Sequence, residues 1–219
     1  MATYAITGAN RGIGLALTRT LLARGDSVLA ICRHTSPELE ATGTRVVEGV
    51  DIAKDADVEA LAQALASTSI DVLVNNAGVL EPDLLSTFEM SALARQMEVN
   101  AFGPVRVTRA LLPRIAAGGK VVVVTSRMGS IADNGSGGYY GYRMSKAAVN
   151  AAFVSFARDL ASRKIAVGIF HPGMVATEMT GGHGIPPAEA AAGLVQRIDA
   201  LDLGTSGKFF HQSGEALPW

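Results

Sequence analysis

Short apolar runs, many β-branched, alternate along this chain with stretches whose apolar positions recur every three or four residues. The first pattern suits strands buried on both faces, the second helices with one apolar stripe. Thr3–Thr7, Ser27–Ile31, Arg45–Val50, Ile70–Val74, Lys120–Thr125, Ile165–Phe170 and Lys208–His211 read as strands. Ile13, Leu17 and Leu21 mark a helix running to Arg24, with Gly25 placed as its C-terminal cap. Val58–Leu65 carries a second helical stripe, and Leu93 to Ile115 a longer one interrupted around Gly103-Pro104. Val149, Phe153, Phe156 and Leu160 share one face of a long helix, and Pro187 suits the first position of a helix over Ala188–Leu201. Apolar strands separated by helices predict an α/β fold: a doubly wound parallel sheet of about seven strands flanked by helices.

Composition narrows this picture. A chain of 219 residues has one domain as its prior and length enough to bury a sizeable core. Charged residues are only 18% of the chain and glycine is frequent, which suits a compact protein rather than a disordered one. The net charge of −1 provides no basic field, so no nucleic-acid partner is expected. Cys32 is the sole cysteine, which excludes an internal disulfide and fits a reducing compartment; it reads as a small buried side chain rather than a redox group. The first residues lack a charged stretch followed by a long apolar one, and the aliphatic run Val121–Val124 is too short to span a bilayer. A cytoplasmic protein with no membrane partner follows. His34, His171, His183 and His211 show no metal-binding spacing, and no metal site is expected.

Two motifs carry chemistry. Thr7-Gly8-Ala9-Asn10-Arg11-Gly12-Ile13-Gly14 lies between the first strand and the first helix, the context of a phosphate-cradling turn. Glycines let the backbone approach a pyrophosphate, and the helix start adds free N–H groups and a positive dipole end. The second motif, Tyr142-Arg143-Met144-Ser145-Lys146, sets a phenol and an ammonium on one helix face. An ammonium beside a tyrosine favours the phenolate and is expected to lower its pKa from about 10. Such a pair moves a proton to or from a carbonyl or alcohol oxygen.

Together with Asn75-Asn76-Ala77-Gly78, Asn100, Ser126 and Pro172-Gly173, in this order, these motifs resemble the short-chain dehydrogenase/reductase family over essentially the whole chain. Gly129-Ser130-Ile131, the residues around Tyr142 and the ending Gly214–Trp219 resemble its C-factor/sniffer-like carbonyl reductase branch. The resemblance implies a single-domain Rossmann-like fold. It implies Tyr142 as acid/base, Lys146 lowering the tyrosine pKa and holding the nicotinamide ribose, Ser126 binding the substrate oxygen, and Asn100 holding a water beside the lysine. Gly8, Asn10, Gly12, Ile13 and Gly14 would hold the pyrophosphate. Asp51 and Ile52 would meet the adenine, and Asn75, Ala77 and Gly78 would border its ribose and support the central strand. Pro172, Gly173, Val175 and Thr177 would lie under the nicotinamide. A homodimer or homotetramer is implied through the tyrosine-bearing helix; burial of Phe153 and Phe156 in the subunit's own core is the alternative.

Coenzyme choice is read from charge. An NAD site places an acid at the end of the second strand. Here that strand ends Ile31-Cys32-Arg33-His34, so Arg33, with Arg11 beside it, is expected to pair with a 2′-phosphate. The expected function is NADP(H)-dependent reduction of a small-molecule carbonyl to an alcohol. The alternatives are a nucleotide-sensing signalling protein and an NAD-dependent alcohol dehydrogenase. Ser126 and Tyr142 lie farther apart than is usual in the family, and the added Asp133–Gly138 stretch would reshape one pocket wall. The segment from Thr177 to Pro187 is short, with Gly181–Pro186 either a mobile lid or an ordinary surface loop.

Overall fold

The computed structural model describes residues 1–219. All of its strands lie in one parallel sheet: β1 (Thr3–Thr7), β2 (Ser27–Ile31), β3 (Arg45–Val47), β4 (Ile70–Asn75), β5 (Ile115–Val124), β6 (Ala166–His171) and β7 (Phe209–His211). Their order across the sheet is β3-β2-β1-β4-β5-β6-β7. The helices are α1 (Gly12–Ala23), α2 (Pro37–Glu40), α3 (Asp55–Ala64), α4 (Met90–Met97), α5 (Gly103–Leu111), α6 (Tyr140–Asp159) and α7 (Pro187–Ala200).

Side chains on a strand alternate between faces, and both faces here are apolar. Ala5, Leu29, Ile31, Leu73, Val121, Val123, Val167 and Ile169 join a core with Val58, Leu61, Val107, Leu111, Val149 and Phe153 of α3, α5 and α6. Tyr4, Ile6, Val28, Ala30, Val72, Val74, Val122 and Val124 join a second core with Leu17, Leu21, Leu194 and Ile198 of α1 and α7. The result is a helix–sheet–helix sandwich. From β1 the chain order runs outward through β2 to one edge and through β4 to the other, so a crevice opens at the carboxyl ends of β1 and β4.

Several boundaries differ from the sequence expectations. The strand expected over Arg45–Val50 stops at Val47, because Gly49 adopts φ 81° and the chain turns away. The helix expected through Ile115 ends at Leu111; Pro113 closes it in a short 3-10 turn, and β5 begins at Ile115. Gly103-Pro104 does not interrupt that helix. It stays helical through a π turn at Glu98–Phe102, and Pro104 sits at the start of α5. Gly25 caps α1 as expected: Gly25 N–H donates to Leu22 O and Asp26 N–H to Leu21 O, each at 3.0 Å. Helix α2 was not expected; Ser36 caps it by accepting from Leu39 N–H, and Pro37 opens it. Phe153 is fully buried and meets Phe156 edge-on at 5.4 Å, so it is committed to the subunit's own core.

Candidate active site

A cleft of about 1860 Å³ runs along the carboxyl ends of the strands. The glycine loop forms one wall. Thr7 is buried, and its Oγ1 accepts from Asn76 N–H at 3.0 Å and Ala77 N–H at 3.1 Å. Asn76 Nδ2 donates in return to Thr7 O and Gly8 O. The ends of β1 and β4 are thus bolted together, and the loop backbone is held open toward the cleft. Gly14 lies behind this wall: a Cβ there would stand 2.1 Å from Gly8 O and 2.7 Å from Asn76 Nδ2. It is a packing glycine, whereas Gly8, Asn10, Arg11, Gly12 and Ile13 line the cleft. Helix α1 starts with no side-chain cap and no acid in its first turn, leaving its amide donors for a ligand.

Asn75 does not line the cleft, and of the two roles expected of it its contacts are those of a residue supporting the central strand. It is buried, and its Nδ2 donates to Thr108 Oγ1 at 3.0 Å and Val122 O at 3.3 Å, tying β4 to α5 and β5. Its neighbour Asn76 takes the place on the wall, with Ala77 and Gly78. No signal separated the two asparagines except strand parity, since β4 turns alternate side chains to opposite faces.

Asp51, Ile52 and Arg33 line the far end of the cleft. Asp51 Oδ1 accepts from Ala53 N–H at 3.1 Å, leaving Oδ2 without a protein partner. Arg33 is exposed and has no acid within ion-pair range, while Arg11 is paired with Glu178 across the cleft mouth. Of the two arginines expected at a 2′-phosphate, Arg33 is therefore the unengaged one. Pro172, Gly173, Val175 and Thr177 line the opposite wall. The segment beyond is a pinned loop: Ala176 N–H donates to Ile185 O and Ile185 N–H to Met174 O, both at 2.9 Å. Within its short turn Thr177 N–H donates to Thr180 Oγ1 at 3.1 Å, and that hydroxyl donates to Val175 O at 2.6 Å.

The reactive groups converge between β5, α6 and the π turn. Ser126 follows β5 and its Oγ accepts from Met128 N–H at 3.1 Å. Tyr142 and Lys146, one helical turn apart on α6, are both buried, and Lys146 Nζ lies 5.7 Å from the tyrosine ring centroid. Nζ donates to Val124 O at 3.1 Å. Burial pushes the Tyr142 phenol up to about 12, with the Ser126 hydroxyl acting in the opposite direction as a hydrogen-bond partner. Burial also pulls Lys146 down to about 8. For both groups the leading influence is loss of hydration, which disfavours the charged form.

Asn100 stands behind the lysine rather than on the cleft wall. Its Oδ1 accepts from Val79 N–H and its Nδ2 donates to Val79 O, each at 2.8 Å; Nδ2 also donates to Ser145 Oγ at 3.1 Å. Its side chain is taken up by these contacts. A Cβ on Gly78 would stand 3.2 Å from Asn100 Oδ1 and 3.6 Å from Lys146 Nζ, so the glycine lets these groups meet.

Sequence reasoning missed Asp83. It is buried in the loop after β4, and its carboxylate accepts from Tyr140 N–H and from Gly141 N–H at 3.1 Å. Tyr139, at the cap position of α6, is left-handed with φ 53° and offers no side-chain cap, so Asp83 supplies it from a distance. His171, at the end of β6, lines the cleft with its Nδ1 unpartnered. Burial first, then His211, Arg127 and Lys146, hold its pKa down at about 3.

The profile of the short chain dehydrogenase family matches residues 2–184. The chain is similar to 1-hydroxy-2-glutathionyl-2-methyl-3-butene dehydrogenase of Rhodococcus sp. (strain AD45), 42% identical over the full length of both. It is similar to C-signal of Myxococcus xanthus, 42% identical over 74% of this chain and all of that one. Among solved structures it resembles a carbonyl reductase from Pseudomonas aeruginosa PAO1 in complex with NADP, with a TM-score of 0.88, 32% identity and full coverage of both chains.

Proposed function

This chain belongs to the short-chain dehydrogenase family, and on that premise we propose that it is an NADP(H)-dependent oxidoreductase interconverting a carbonyl and an alcohol. The observation that carries the proposal is the buried Ser126–Tyr142–Lys146 cluster opening onto the same cleft as the glycine loop. In the reductive direction the Tyr142 phenol gives its proton to the carbonyl oxygen while the Ser126 hydroxyl bonds that oxygen and stabilises its developing charge. Lys146, fixed by Val124 O, holds its ammonium beneath the phenol, and Asn100 fixes the helix turn behind it. NADP(H), when bound, supplies or accepts the hydride. The loop Gly8–Ile13, the free Asp51 oxygen and the unengaged Arg33 suit its pyrophosphate, adenine and 2′-phosphate. One relative is named a dehydrogenase of an alcohol and one solved neighbour a carbonyl reductase with NADP, the two directions of a single chemistry.

The test is binding of NADPH and NADH followed by turnover on a small carbonyl panel. NADPH is expected to bind more tightly, and Tyr142→Phe to lower kcat by about 10²–10⁴-fold with coenzyme binding kept. Equal turnover by the variant would sink the mechanism, and a preference for NADH would sink the role of Arg33. The likeness to C-signal favours a second reading, a nucleotide-binding signalling protein. That reading gains if biological function survives Tyr142→Phe.

A further inference from the structure

Arg143, next to the reactive tyrosine on α6, lines the cleft with a half-buried guanidinium and no carboxylate within ion-pair range. Its hydrogen bonds all go to neutral groups of the added loop: Nε donates to Gly138 O at 3.1 Å, and Nη2 to Ser136 Oγ at 2.9 Å and Gly137 O at 3.4 Å. Nη1, which carries the two remaining N–H donors, has no protein partner. The surrounding acids are spent. Asp133 and Glu215 hold Arg127, Glu81 holds Arg95, and Asp83 caps α6. Nη1 thus presents an unpaired cationic donor to the cleft, where an anionic ligand group can take a charge-assisted hydrogen bond. Met128 and Met174 line the same cleft from the segments following Ser126 and Gly173, and Met174 is largely exposed. We infer that the substrate bears a carboxylate that docks on Arg143 Nη1, joined to its carbonyl by an apolar body lying against these methionines.

The inference rests on the carbonyl–alcohol reading above, and the test separates the two. The probes are 4-carboxybenzaldehyde and its neutral methyl ester, each reduced with NADPH. kcat/KM is expected to favour the carboxylate by about tenfold or more, the scale of one charged hydrogen-bonded contact. Arg143→Gln should bring the ratio near unity, and Arg143→Lys should retain much of it. A ratio near unity in the native protein overturns the inference while leaving the reductase reading standing. Equal loss of the ratio in both variants also overturns it, because loop positioning rather than charge would then be at work. If neither aldehyde oxidises NADPH, the reductase reading fails, and calorimetry with 4-(hydroxymethyl)benzoate in the presence of NADP⁺ decides the anion site. Binding at least tenfold tighter than the methyl ester, lost in Arg143→Gln, supports it; equal binding overturns it.

Discussion

At the scale of single residues, the cleft is a place where burial sets proton affinity. His171 shows the cost most clearly. Its pKa falls from 6.5 to about 3 in the fold, with burial the leading cause and His211, Arg127 and Lys146 adding to it. Between those values the unfolded chain binds a proton that the folded chain refuses, so stability is present above pH 6.5 and is lost as pH falls toward 3. Urea midpoints at about pH 7 and about pH 4.5 should diverge in the native protein, and the gap should shrink in His171→Asn. An unchanged gap would show that other groups carry the acid limb. That Tyr142, Lys146 and Ser126 would share one cleft was legible in the sequence, from their order along the chain after the glycine loop. Their proton affinities were not, because spacing reports who the neighbours are and not how dry the pocket is.

At the scale of elements, the strands were legible wherever β-branched residues ran together, as at Val121–Val124. What escaped was built by contacts between distant segments. Pro104 reads as an interruption, yet the helix passes through it on a π turn. The start of α6 carries no capping residue of its own, and only the fold brings Asp83 to it. Asp83→Ala should therefore cost about 0.5–2 kcal/mol, the worth of an N-cap, although residue 83 lies outside the helix. The loss should appear in the thermal midpoint and in a lower kcat, since Tyr142 sits in the first turn of that helix. An unchanged midpoint would mean that the two amide donors are served by water.

At the scale of the whole molecule, the sheet order and the two apolar faces follow from alternation along each strand, and they alone place the cleft. The ties that complete the site are of another kind. Asp83 reaches Tyr140 over 57 residues, Asn100 reaches Ser145 over 45, and Asn76 reaches Thr7 over 69. Each closes a long loop, and such closures delay folding more than local turns do. The site is therefore expected to mature late. In refolding from urea, far-ultraviolet circular dichroism should recover before the fluorescence enhancement of bound NADPH; simultaneous recovery would refute this order. A newly made copy would pass through an interval in which most helices and strands exist but the cleft is not yet whole, and a coenzyme able to bind early would hasten its completion.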